Sequence, residues 1–159
     1  MESPVRYVAA AAAFVVGVFI AVAQPIKAQE SSKGAVPAAL LKATVLDIEA
    51  TEVREVPSGK ASIRILGKGH EAFLGILTMA GGGKVPEHRD TSEEYIHVLK
   101  GSGTIFVDDK PYALKPGSTV FMPKEAKVRY ENGPEELMAI QVFAGPESAR
   151  KYDAWKPRK

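Results

Sequence analysis

The chain has 159 residues, 21 of them basic and 19 acidic, for a formal net charge of +2; that length suits one domain and is too short for two. This balance, with no basic stripe interleaved with aromatics, excludes the usual nucleic-acid binders. No cysteine is present, which excludes disulfides, thiolate metal sites and a Cys nucleophile.

Arg6 precedes an apolar run from Tyr7 to Ala23 that Gln24-Pro25 breaks. Ala21-Val22-Ala23 has the small-x-small form of a signal-peptidase site, so residues 1–23 read as a signal peptide cleaved after Ala23. The alternative is an uncleaved membrane anchor, since the run is at the short limit for a bilayer span, where ~20 residues are typical. Either way the domain is expected outside the cytoplasm, in the periplasm or the medium of a bacterium that exports it without disulfides.

Residues 24–39 are polar and read as a linker or flexible arm. Residues 40–145 carry the pattern of a β-domain. Leu40, Leu41, Val45 and Ile48 fit helical spacing, while Thr44-Val45-Leu46 fits a strand, and the strand is preferred. Thr51–Val56 and Ala61–Leu66 flank Pro57-Ser58-Gly59-Lys60 and predict a hairpin. Phe73–Met79 is a near-continuous apolar run ended by Gly81-Gly82-Gly83, a corner rather than a phosphate loop. Glu94–Leu99, Gly103–Val107, Tyr112–Leu114, Ser118–Met122, Val128–Glu131 and Leu137–Phe143 follow as strands. Asp108-Asp109, Lys115-Pro116-Gly117 and Asn132-Gly133-Pro134 supply turns between them. Strands of this length and spacing predict an all-β sandwich or barrel. Residues 146–159 form a tail with a short helix at Glu147–Trp155. Its Tyr152 and Trp155 either dock a partner or fold over the domain's own end.

Two spaced motifs carry a family resemblance. The first reads Gly82-x5-His88-x-Asp90-x3-Glu94-x6-Gly101. The second reads Gly117-x5-Pro123-x-Glu125-x2-Val128-x3-Asn132. Together they resemble the cupin superfamily, whose motifs have the forms G-x5-H-x-H-x(3,4)-E-x6-G and G-x5-P-x-G-x2-H-x3-N. Spacing is kept throughout. Asp90 stands where the family has its second His, Glu125 where it has Gly, and Val128 where it has its last His. The resemblance covers roughly residues 70 to 145 and implies a jelly-roll β-barrel and pairing into a homodimer. It does not imply one reaction, because the family hosts enzymes, sensors and storage proteins alike.

If the chain is extended from His88 onward, His88, Asp90 and Glu94 project to one face. One imidazole and two carboxylates sum to −2, which a divalent ion would balance; the oxygen-rich set suits Mn, Fe or Zn. The rival reading is a metal-free polar pocket in which a protonated His88, a Lys or Arg, or a proton on Glu94 itself relieves the buried charge. Asp90 is a substituted ligand or a solvated turn residue. Tyr130 shares a face with Val128, and Gln141 interrupts the apolar Ala139–Phe143; both are candidates for binding a ligand. His97, three residues after Glu94, has the wrong parity and belongs with Tyr95 on the outer face, where a second copy would pair. The leading expectation is an exported single-domain protein that binds a small polar organic ligand in its barrel. The alternatives are a metal-dependent oxygenase, isomerase or lyase, and a non-catalytic structural or assembly protein of the envelope.

Overall fold

The computed structural model describes residues 42–158; the expected signal or anchor segment (1–23), the linker (24–39), and Leu40 and Leu41 lie outside the described residues. Eleven strands are described: β1 (Val53–Glu55), β2 (Ala61–Lys68), β3 (Ala72–Met79), β4 (Lys84–His88), β5 (Glu93–Lys100), β6 (Gly103–Val107), β7 (Lys110–Leu114), β8 (Thr119–Met122), β9 (Val128–Asn132), β10 (Leu137–Ala144) and β11 (Lys156–Pro157). A 3-10 turn covers Ile48–Ala50 and a 3-10 helix covers Ser148–Ala154.

Side chains alternate across a strand, so the period-two pattern fixes which residues turn inward. In β10, Leu137, Ala139, Gln141 and Phe143 are buried while Met138, Ile140 and Val142 are not. In β5 the inward set is Glu94, Ile96 and Val98, and Tyr95 and Leu99 face out. The strands form two antiparallel sheets, ordered β11-β1-β2-β3-β10-β5-β8 and β4-β9-β6-β7. The expected barrel is thus two facing sheets rather than one hydrogen-bonded ring. Ile96, Val98 and Ala139 of the first sheet share a core with Ile105, Leu114 and Val128 of the second. Each Ile, Val or Leu side chain among them, when fully buried, contributes roughly 1.5–3 kcal/mol.

The hairpin at Pro57–Lys60 forms as expected, with Val56 N–H bonded to the Ala61 carbonyl and Gly59 at φ 70° closing the turn. Asp108 and Asp109, both at positive φ (48° and 67°), make the two-residue link between β6 and β7. Such a link needs the left-handed region at both positions, which Asp tolerates. The strand expected at Thr44–Leu46 does not form: residues 42–47 have no regular structure, and Val45 is 97% exposed. The edge of β1 away from β2 is taken by β11 from the tail (Arg54 opposite Pro157, Glu55 opposite Lys156), so the preceding segment does not pair there.

β4 escaped the sequence reading because Pro86 interrupts it. The strand lies at a sheet edge and pairs with β9 through a register shift between Val85 and His88, the setting in which a sheet tolerates proline. The tail folds over its own domain. Its 3-10 helix buries Ala149 and Tyr152 against Ile63, Phe73 and Phe143. The Tyr152 ring centroid lies 5.7 Å from that of Phe73 and 4.9 Å from that of Trp155. A bond from Ser92 Oγ to Ser148 Oγ (2.6 Å) and the β11 pairing hold the helix at both ends.

Candidate functional site

His88 ends β4, Glu94 lies in β5, and Asp90 sits in the connection between them. The structure brings the three together, with one ligand atom from each within 4.8 Å of the others. The reason is not a single extended strand. β4 and β5 belong to opposite sheets, and the connection crosses between them. His88 and Glu94 therefore meet from facing walls. The Asp90 carbonyl accepts the Glu125 N–H (2.8 Å), and the Arg89 guanidinium donates to the Glu125 carbonyl. These bonds hold Glu125 at φ 64°, a conformation that favours glycine, at the position where the second motif departs from its Gly.

Asp90 is no solvated turn residue. Its side chain is 16% exposed, and both of its oxygens accept hydrogen bonds from Lys151 Nζ, at 3.1 and 2.9 Å. His88 Nε2 lies 3.4 Å from Asp90 Oδ2, and its Nδ1 is 2.9 Å from the Pro86 carbonyl. A carbonyl can only accept, so Nδ1 carries a hydrogen and Nε2 is the nitrogen turned toward the acids. A metal-bound His is commonly oriented in this way, by a backbone carbonyl on its far nitrogen. The donor set thus fits a divalent ion in kind and spacing. Val128 lies directly across from His88 in the β4–β9 register and is 7% exposed, so an apolar side chain stands where the motif's last His would be.

Glu94 is 6% exposed and accepts a hydrogen bond from Gln141 Nε2 (2.5 Å); Gln141 Oε1 in turn accepts from the Tyr152 hydroxyl (2.5 Å). Gln141 is diagonal to Glu94 across the β10–β5 ladder, where Phe143 stands directly opposite, and long side chains reach such diagonal neighbours. Among the described residues no buried side-chain polar atom lacks a partner. Tyr130 lines the same cavity, but its hydroxyl turns away to Asn132 Oδ1 (3.0 Å) and the Ser102 carbonyl (3.4 Å). His97 faces outward, as its parity required, with Nδ1 2.8 Å from Thr119 Oγ1.

The cavity between the sheets has a volume of about 280 Å³. Its walls are mainly apolar, including Ile96, Val98, Ile105 and Met122, and its polar groups gather around Glu94. The tail contributes Lys151, Tyr152 and Trp155 to its lining. Lys151 and Tyr152 are the site residues that the sequence did not disclose. Lys151 lies 61 positions from Asp90, and no local spacing signals that the tail returns to the cavity.

Burial pushes the Glu94 carboxyl above its ordinary value, against the opposing pull of the Lys151 charge and the Gln141 hydrogen bond. The hydrogen bond to Asp90 raises His88, outweighing its burial. Burial alone would raise Asp90, but His88 and Lys151 together hold it below the usual range. Because Glu94 takes up its proton more readily folded than unfolded, it favours the fold below about pH 4.5 and loses that contribution as pH rises through its folded value. Glu94→Gln keeps the acceptor for Gln141 and removes the titration. In urea unfolding at pH 4 to 8 with chelator present, the variant should gain stability on the native chain as pH rises. A native chain that gains on the variant instead would mean that Lys151 outweighs burial at this carboxylate.

A profile of the cupin domain matches residues 75–143. Two curated relatives match at low identity. The dimethylsulfoniopropionate lyase DddW of Ruegeria pomeroyi is 32% identical over 91 residues, covering 54% of this chain and 60% of the relative. Protein SchB of Streptomyces halstedii is 28% identical over 79 residues, covering 49% and 57%. The chain thus spans about three-fifths of the length of these relatives. Among solved structures, an RmlC-like cupin from Shewanella frigidimarina superposes with a TM-score of 0.60 at 20% identity, over 65% of this chain and 92% of that one. With the motifs, the two facing sheets and the matched residues in agreement, residues 75–143 match the cupin domain and the described strands have the fold of a cupin.

Proposed function

We propose that this protein is an exported cupin that binds a small polar organic molecule in the cavity between its sheets. The observation that carries the reading is the cavity itself: about 280 Å³ of mainly apolar wall with His88, Glu94, Gln141, Lys151 and Tyr152 gathered at one place on it. Ligand sites have this composition, an apolar body with a few convergent polar groups, and this volume is near the lower end of their range of roughly 300–1,000 Å³. Export rests on the leader-like residues 1–23. The burial of Tyr152, which is 3% exposed, weighs against a tail held free for an envelope partner. The test is ligand-observed NMR of the full chain against a panel of small hydroxy, keto and phenolic acids. Some members should bind, and Val128→Phe, which fills the cavity, should abolish that binding while the chain still unfolds cooperatively. Failure of every member to bind would overturn the reading.

A second reading, a metal-dependent lyase, draws support from the likeness to a dimethylsulfoniopropionate lyase and from the His88–Asp90–Glu94 cluster. These three residues would hold Mn, Fe or Zn, and the ion would polarise a substrate oxygen as a Lewis acid. Elimination activity lost in both Asp90→Ala and Glu94→Ala, with the fold retained, would favour this reading over the first.

A further inference from the structure

The geometry points to Lys151 as a tethered cation that competes with a divalent metal ion for Asp90. The Lys151 ammonium is hydrogen-bonded to both Asp90 oxygens, at 2.9 and 3.1 Å. A metal of the kind that this donor set suits takes carboxylate oxygens at about 2.0–2.2 Å. It would draw on the same lone pairs and place a second cation against the ammonium. Asp90 cannot serve both at full strength, because like charges this close repel strongly away from bulk water.

The arrangement is built rather than incidental. The helix that carries Lys151 is fixed by the Tyr152–Gln141 and Ser92–Ser148 hydrogen bonds, and Arg54 Nη1 donates to the Tyr152 carbonyl (3.3 Å). The ammonium lies over the Phe143 ring, 4.7 Å from its centroid. The backbone is therefore anchored, while the side chain, 36% exposed, has four rotatable bonds and a route to solvent. The ammonium also brings the cluster closer to neutrality: it offsets one of the two carboxylates, and an imidazolium at His88 would offset the other. That is the arrangement expected of a pocket that holds its shape without metal. Metal entry then requires the ammonium to leave Asp90, so affinity at this cluster is set by a residue that belongs to no cupin motif.

The experiment is direct titration of the full chain, purified without affinity metal, with Zn²⁺ and with Mn²⁺ by calorimetry. Lys151→Met keeps the stem and removes the charge. It should tighten binding of either ion by roughly 10- to 100-fold, the ordinary range for coupling between two sites. Lys151→Arg, which keeps a cation, should stay within a few-fold of the native chain. Adding Asp90→Ala to Lys151→Met should cancel the gain. In the native chain itself, saturating Zn²⁺ should speed acylation of Lys151 by acetic anhydride, read by peptide mass spectrometry. That measurement does not depend on the variant folding. Equal affinities of native chain and Lys151→Met, weaker binding by the variant, binding by neither, or a Lys151 acylation rate indifferent to Zn²⁺ would each overturn the inference. Because only metal ions are titrated, the outcome is independent of whether an organic ligand binds the cavity.

Discussion

Gln141→Leu should lower the unfolding free energy by about 3 kcal/mol, and with it the thermal midpoint by on the order of 10 °C. Gln141 is 3% exposed and sits between two other buried polar groups: it donates to Glu94 and accepts from Tyr152. Leucine fills a similar volume but leaves the carboxyl of Glu94 and the hydroxyl of Tyr152 without partners. Each orphaned group costs about 1–3 kcal/mol, and a charged one more. The loss should therefore shrink when the orphan is removed as well. Gln141→Leu with Tyr152→Phe should recover about 1 kcal/mol relative to the sum of the single variants, the non-additivity expected of residues in one network. Urea unfolding of the four chains measures this directly. A single-variant loss below about 1 kcal/mol would mean that the chain from Glu94 to Tyr152 contributes little to holding the tail on the domain.

Val128→His should convert a three-donor cluster into a four-donor one. Val128 faces inward, stands opposite His88 in the β4–β9 register and borders the cavity, so an imidazole there has room to point at the same centre. Zn²⁺ prefers four ligands, and His is among its commonest. The expected gain in Zn²⁺ affinity is roughly 100-fold, or about 2.7 kcal/mol. Calorimetric titration of the native and variant chains with Zn²⁺ checks it. The gain should be lost when His88→Ala is added, which separates a built centre from a stray surface histidine. An unchanged affinity in a folded variant would show that β9 is held too far from β4, or at the wrong angle, for shared coordination.

Much of the architecture was legible because a sheet buries one face. The alternation in Glu94–Leu99 and Leu137–Phe143 marks inward residues whatever the partner strand, and Asp108-Asp109 announces its turn through residues that tolerate positive φ. The same rule sets His97 apart from Glu94 on the sequence alone. Pattern failed where the outcome depended on an edge. Thr44-Val45-Leu46 has the composition of a strand, but β11 occupies the edge it would need, and β4 is a strand despite Pro86 because it lies at an edge itself.

The sequence by itself determined which residues of β5 and β10 face inward, named His88, Asp90 and Glu94 as candidate donors by their motif positions, and showed Val128 in place of a ligand. These are local facts, written in the period of the chain and in the identity of single residues. The tertiary structure alone decided that Glu94 is held by Gln141 and Tyr152, that Tyr130 turns its hydroxyl away, and that Lys151 lies on Asp90. The Glu94–Gln141 and Asp90–Lys151 contacts join positions 47 and 61 residues apart. The Lys151 and Tyr152 contacts form because the tail finds a free edge at β1 and an apolar shelf of Ile63, Phe73 and Phe143 to cover, and neither exists until β1, β2, β3 and β10 have paired in one sheet.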